Sequence, residues 1–227
     1  ETMPGSRYDR CIRQYDEIFA AEAANVPSVA STGNASLDAG LDWLTEGAQS
    51  VLDFGCGNGV ALFFCALRGT RRHVGIDLSR RGIESALMRA EKMPCGEYAF
   101  TLGGVEALEK IKDRSFDSLL LMNILDNLYP DDARTALRHA ARVLKPGGRA
   151  LIKLNPYRTE KQIREWNLRV IEGNLFDDGM LLWNNTDDAW RRIIGETLRV
   201  VEKREVYFPE YQLQERMFLA IRAEDML

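Results

Sequence analysis

The segment Val51-Leu52-Asp53-Phe54-Gly55-Cys56-Gly57-Asn58-Gly59 constrains this chain most. A strand-forming stretch, Ser50 to Phe54, runs through closely spaced glycines into an apolar helix that continues through Leu67. Glycine lets the backbone turn tightly and approach a bound ligand closely. Such bends join strand to helix in parallel α/β sheets, which place ligands at the carboxyl ends of their strands.

The pattern continues along the chain. A second strand, Val74 to Asp77, ends in an acid, and Ser79 reads as the N-cap of a helix with Ile83, Ala86, Leu87 and Ala90 on one face. A third strand lies near Tyr98 to Leu102. The fourth, Phe116 to Asn123, is apolar enough to be buried on both faces. Asp131 or Asp132 starts a helix with Ala133, Leu137, Ala140, Ala141 and Leu144 inward, and Lys145-Pro146-Gly147-Gly148 stops it. Arg149 to Asn155 is the fifth strand. Residues 156–196 predict short helical stretches and hold Trp166, Trp183 and Trp190, read as core packing. Val200 to Phe208 and Leu213 to Arg222 predict an antiparallel hairpin. At the other end, residues 5–22 predict an amphipathic helix with Tyr8, Ile12, Tyr15, Ile18 and Phe19 along one side.

Composition narrows the function classes. In 227 residues, 45% are hydrophobic, enough for a core without disulfide or metal staples. Lys+Arg 30 against Asp+Glu 34 gives a net charge of -4 with no basic block, which argues against a nucleic-acid partner. The cysteines, Cys11, Cys56, Cys65 and Cys95, form no CxxC pair, and the chain has 2 histidines. No metal site is expected, and a reducing, cytoplasmic compartment is. The longest apolar stretch, Val60 to Leu67, is too short to span a bilayer, and the N-terminus carries no signal pattern. Whether the chain is a monomer or a homodimer is left open.

Two details define the ligand class. A dinucleotide GxGxxG pattern starting at Gly55 needs glycine at position 60, which is Val60. An acid, Asp53, also precedes the first glycine by two positions. It would repel a pyrophosphate and attract an ammonium or sulfonium group. Asp77 can accept hydrogen bonds from both hydroxyls of an adenosine ribose. S-adenosyl-L-methionine has both cations and no phosphate.

At Val51–Gly59, Val74–Leu78, Phe116–Asn123 and Arg142–Gly148 the sequence resembles the class I S-adenosylmethionine-dependent methyltransferases. The terminal hairpin is similar to the reversed seventh strand of that fold. Tyr8-Asp9-Arg10 and Tyr15-Asp16 resemble the lid of the ubiquinone/menaquinone-type C-methyltransferases. The resemblance implies a Rossmann-like, doubly wound α/β sheet of seven strands, mostly parallel with the last antiparallel, and helices on both faces. One domain is expected: a helical lid over 1–46, a cofactor core over 47–155, a helical cap over 156–196 and a hairpin over 197–227.

The resemblance also implies roles. Asp53 would meet the methionine amino group, Gly55, Cys56 and Gly57 would pass under the cofactor, and Asp77 would hold the ribose. Leu78, with Val105 and Glu106, would border the adenine. Asn123 would face the sulfonium with its carbonyl, and Tyr15 would close the site from the lid. Where the family often has an acid, this chain has Gly104, so the adenine amino group would need a neighbour such as Glu106. The expected activity is methyl transfer to a small-molecule acceptor through O, N or C, with S-adenosyl-L-homocysteine as product.

If the acceptor needs a base, His73 and His139 are poorly placed. Asp126, Tyr8, Tyr15, Asn155 and Tyr157 are the candidates, with Tyr15, Asp126 and Tyr157 foremost. Each has a plainer reading: Asp126 as a cap or surface group, Tyr8 and Tyr15 as helix packing, Asn155-Pro156-Tyr157 as a turn at the pocket mouth. Two rival functions stand beside methyl transfer. One is a nicotinamide (NAD(P))-dependent oxidoreductase, which shares the ribose-binding acid. The other is a protein that binds S-adenosylmethionine without catalysis.

Overall fold

The structure is a computed structural model that describes residues 6–23 and 25–223. The expected helix start at Gly5, and the outer ends of the lid and hairpin segments, lie outside the described residues.

Strand β1 is Ser50–Phe54, buried at all five positions. It pairs in parallel with β2 (Arg72–Asp77) on one side and β4 (Phe116–Met122) on the other. With β3 (Glu97–Leu102) and β5 (Leu144–Leu154) these form the parallel part of the sheet. The C-terminal hairpin, β9 (Arg199–Phe208) and β10 (Leu213–Ile221), completes it in the order β3-β2-β1-β4-β5-β10-β9. β10 runs antiparallel to both neighbours. This is the seven-stranded, mostly parallel sheet expected.

Side chains alternate across a strand, and that splits the core. Val51, Leu120 and Leu151 face helices α2 (Ala35–Thr45) and α3 (Val60–Leu67). Leu52, Leu119, Leu121 and Ile152 face α5 (Val105–Leu108), α6 (Pro130–Val143) and α8 (Asp187–Gly195). The expected helix at Ser79 is α4 (Arg80–Ala90); Ser79 Oγ caps it by accepting from Gly82 N at 2.9 Å.

Several expectations need correction. Leu87 is 48% exposed while Arg89 is buried. Arg89 donates to Ala23 O at 2.7 Å, so that face of α4 serves the N-terminal helix α1 (Asp9–Ala21). On α1, Tyr8 and Ile12 are buried but Ile18 is exposed. Residues 156–196 are not simply helical. Between α7 (Glu160–Glu165) and α8 lie β6 (Arg169–Glu172), β7 (Leu175–Asp177) and β8 (Leu181–Trp183), a small antiparallel sheet. Trp183 and Trp190 pack edge to face at 5.0 Å between centroids, whereas Trp166 is exposed beside Arg158.

Candidate active site

The carboxyl ends of β1, β2 and β4, with α1 laid across them, enclose a cavity of about 710 Å³. That lies well within the range of small-molecule sites. Its lining brings together Tyr15, Asp53, Gly55, Cys56, Gly57, Asp77, Leu78, Val105, Glu106 and Asn123. These come from five separate places in the chain, and the sheet topology together with α1 assembles them.

The floor is the glycine turn. Gly55, Gly57 and Gly59 all have positive φ (81°, 49° and 78°), where an L side chain is strained. A Cβ on Gly55 would stand 2.8 Å from Ile124, and one on Gly57 would stand 2.6 Å from Phe19 Cζ. Asp77 shapes the turn: Gly57 N donates to its Oδ2 at 2.8 Å and Ser79 N to its Oδ1 at 2.7 Å. Burial raises the Asp77 pKa, and these amides oppose the shift.

Asp53 is 1% exposed and its Oδ1 has no hydrogen-bond partner. Burial, reinforced by the negative charge of Asp77, lifts its pKa to about 8. A buried carboxylate without a counter-charge is costly, and a cation beside it removes that cost. Burial also raises the Cys56 thiol and the Tyr15 phenol, the latter helped by Asp126 and Asp77. Tyr15 is therefore a neutral hydroxyl at the cavity wall.

Helix α1 and its flanking residues are tied down at several points. Tyr8 Oη donates to Asp132 Oδ2 at 2.7 Å and accepts from Tyr129 N at 3.0 Å. Asp16 accepts from Ser79 Oγ at 2.6 Å and from Arg81 N at 3.1 Å. Glu22 accepts from Asn58 Nδ2 at 2.5 Å. These contacts hold Phe19 over the glycine turn.

Two foremost base candidates stand elsewhere. Asp126 is wholly buried behind the wall and does not line the cavity. Its Oδ2 accepts from Asn155 N at 2.8 Å and Nδ2 at 3.1 Å, so it anchors the turn after β4 and is neither a cap nor a surface group; its Oδ1 has no hydrogen-bond partner. Tyr157 lines a separate, open depression of about 510 Å³ with Arg216 and Asp187. The next residue explains this: Arg158 N donates to Asn184 Oδ1 at 2.9 Å, drawing the chain toward the cap sheet. His73 is far from the cavity lining, bonded to Thr70, with burial lowering its pKa to about 4. Cys11, Phe19, Asn127 and Leu128 also line the cavity and were not anticipated as site residues. The helical spacing of Cys11, Tyr15 and Phe19 was the signal available for the lid.

Residues 51–148 match the family described as methyltransferase domain. Among curated proteins, the chain is 24% identical over 171 residues to tRNA N(3)-methylcytidine methyltransferase trm140 of Schizosaccharomyces pombe, covering 71% of this chain and 56% of that one. It is 34% identical over 100 residues to a ubiquinone biosynthesis O-methyltransferase of Paracidovorax citrulli, covering 44% and 41%. The chain thus spans about half the length of the curated relatives it matches. Among solved structures, 1,6-didemethyltoxoflavin-N1-methyltransferase of Burkholderia thailandensis, with 1,6-didemethyltoxoflavin and S-adenosylhomocysteine bound, superposes with TM-score 0.65 at 21% identity. That match covers 85% of this chain and 80% of that one.

Proposed function

We propose that this chain, whose residues 51–148 match the methyltransferase domain family, transfers the methyl group of S-adenosylmethionine to a small-molecule acceptor bound under α1. The observation that carries the reading is Asp53, a buried carboxylate with an unpartnered oxygen beside a side-chain-free turn.

The residues present fit this cofactor. Asp53 supplies the missing partner for an ammonium group. Asp77, its backbone contacts already made, keeps lone pairs for ribose hydroxyls. Leu78 and Val105 offer apolar surface for adenine. Glu106 Oε1 accepts from Gly104 N at 2.8 Å, which puts a carboxylate beside the position where an acid is missing. A pyrophosphate would meet Asp53 unfavourably, which weighs against a nicotinamide ligand.

When bound, the cofactor supplies a methyl group already activated by its sulfonium. The protein's work is orientation and exclusion of water, and alignment alone contributes up to roughly 7–11 kcal/mol in favourable cases. Here α1 closes the cavity, the Phe19 ring covers Gly57, and Tyr15 stands among the lining residues. Asp126 acts behind the wall as an anchor.

The charge of the lining supports a small acceptor over a nucleic acid. Asp53, Asp77, Glu106, Glu109 and Asp132 face the cavity against Arg7, itself bonded to Asp131 and Asp132. Phosphates would be repelled there. Cys11, Cys56, Cys65 and Cys95 are free thiols, which supports a reducing, cytoplasmic setting. No helix of the described residues is long and apolar enough to cross a membrane.

The test is incubation with methyl-labelled cofactor and a cell extract split into low-mass and RNA fractions. Label in a low-mass, nuclease-resistant product is expected. Label in RNA overturns the acceptor class. Cofactor binding without any labelled product favours a protein that binds without catalysis.

A further inference from the structure

Lys153, Asn155 and Glu215, which lie outside the cavity lining, form a polar cluster around Asn123. Asn123 follows β4 and is one of four non-glycine described residues with positive φ, at 53°. Asn123 lines the cavity, yet its side-chain amide is bonded to Lys153, Glu215 and Asn155, none of which does. Asn123 Nδ2 donates to Glu215 Oε1 at 2.8 Å and to Asn155 Oδ1 at 3.3 Å. Asn123 Oδ1 accepts from Lys153 Nζ, and Lys153 is in turn ion-paired with Glu215. Both charged side chains are buried, 6% exposed each, and Asn123 N donates to Lys153 O at 2.7 Å.

A left-handed backbone at a non-glycine residue is unfavourable and persists only where its surroundings fix it. A buried ion pair is in general poor evidence for stability, because desolvation offsets the attraction. Here both ends of the pair hydrogen-bond the same left-handed residue of the cavity lining. We propose that Lys153 and Glu215 are positioning residues: they hold Asn123 so that its main chain, and not its amide side chain, borders the bound cofactor at the reacting group. A main-chain carbonyl there favours a positive sulfonium over the neutral thioether left after transfer. The pair thereby sets how strongly the site prefers donor to product. This rests on the reading that the cavity binds S-adenosylmethionine.

The experiment is calorimetric titration of the full chain with S-adenosylmethionine and with S-adenosylhomocysteine. The variants are Glu215→Gln, Asn123→Gly and their combination. Asn123→Gly tolerates the left-handed backbone while removing its anchor, so the fold is retained. Each single variant is expected to lower the donor-to-product affinity ratio about threefold to tenfold, the range of one or two lost hydrogen bonds. In the Asn123→Gly background, Glu215→Gln should change the ratio no further, since the pair acts through Asn123. If Glu215→Gln weakens both ligands equally, or leaves the ratio unchanged, the positioning role is overturned. So too if its effect persists undiminished without the Asn123 side chain. Binding of neither ligand to the unaltered chain overturns the cofactor reading and this proposal with it. Should Glu215→Gln fail to fold, the joint replacement Lys153→Met with Glu215→Leu removes both buried charges together and gives the same expected fall in the ratio.

Discussion

Phe19 occupies the space that a side chain on Gly57 would need: a Cβ at Gly57 would lie 2.6 Å from Phe19 Cζ. Helix α1 and the glycine turn are therefore built against each other. Gly57→Ala forces a left-handed alanine, at about 1–2 kcal/mol, and pushes Phe19 aside. Cofactor affinity should fall about tenfold or more, read by calorimetry. Combining it with Phe19→Ala should restore part of the loss, because the contact is relieved and the backbone strain is not.

Asp77 shapes the turn and, in the proposed reading, also holds the ribose. Asp77→Ala should weaken S-adenosylhomocysteine binding by about one to two orders of magnitude, as charge-assisted hydrogen bonds contribute about 1.5–3 kcal/mol. It should also lower the melting temperature of the ligand-free chain, because Gly57 N and Ser79 N lose their acceptor. Unchanged binding would show that the ribose lies elsewhere.

Asp53 predicts two opposite pH dependences. Its carboxyl is raised from an ordinary 3.8 to about 8, so the folded chain holds a proton that the unfolded chain gives up. That contribution to stability is complete below the unfolded value and is lost as pH rises through about 8. An ammonium ligand, by contrast, pairs with the ionised form, so its affinity should rise with pH up to about 8 and binding should release a proton. Asp53→Asn should flatten both slopes, measured by thermal melts and by calorimetry in buffers of different ionisation enthalpy.

Tyr8 fastens the start of α1 to α6. Tyr8→Phe removes the bond to Asp132 and leaves Tyr129 N without its acceptor, at a cost of about 1 kcal/mol. Amide exchange along Asp9–Ala21 should accelerate several-fold while exchange in β1 and β4 stays as it was. Equal acceleration throughout would mean that α1 is not a separately opening unit.

Much of the fold was legible in the sequence because buried parallel strands such as Phe116–Met122 read as apolar runs, and the glycines mark the turn that follows β1. The acids at the ends of β1 and β2 were legible for the same reason: their positions are fixed by local sequence. The cap sheet was not. All four residues of Arg169–Glu172 are exposed, so no alternation of polar and apolar residues marks the strand. Tyr157 was misplaced because its course is set by contacts of the next residue with Asn184 and Asp178. The Lys153–Glu215 pair joins residues 62 apart, and nothing near either one signals the other.

The most direct test of the account is a crystal structure of the chain grown with S-adenosylhomocysteine. The amino group is predicted at hydrogen-bond distance from Asp53, the ribose hydroxyls on Asp77 and the adenine between Leu78 and Val105. A nucleoside bound elsewhere, or a glycine turn with no ligand over it, would contradict it.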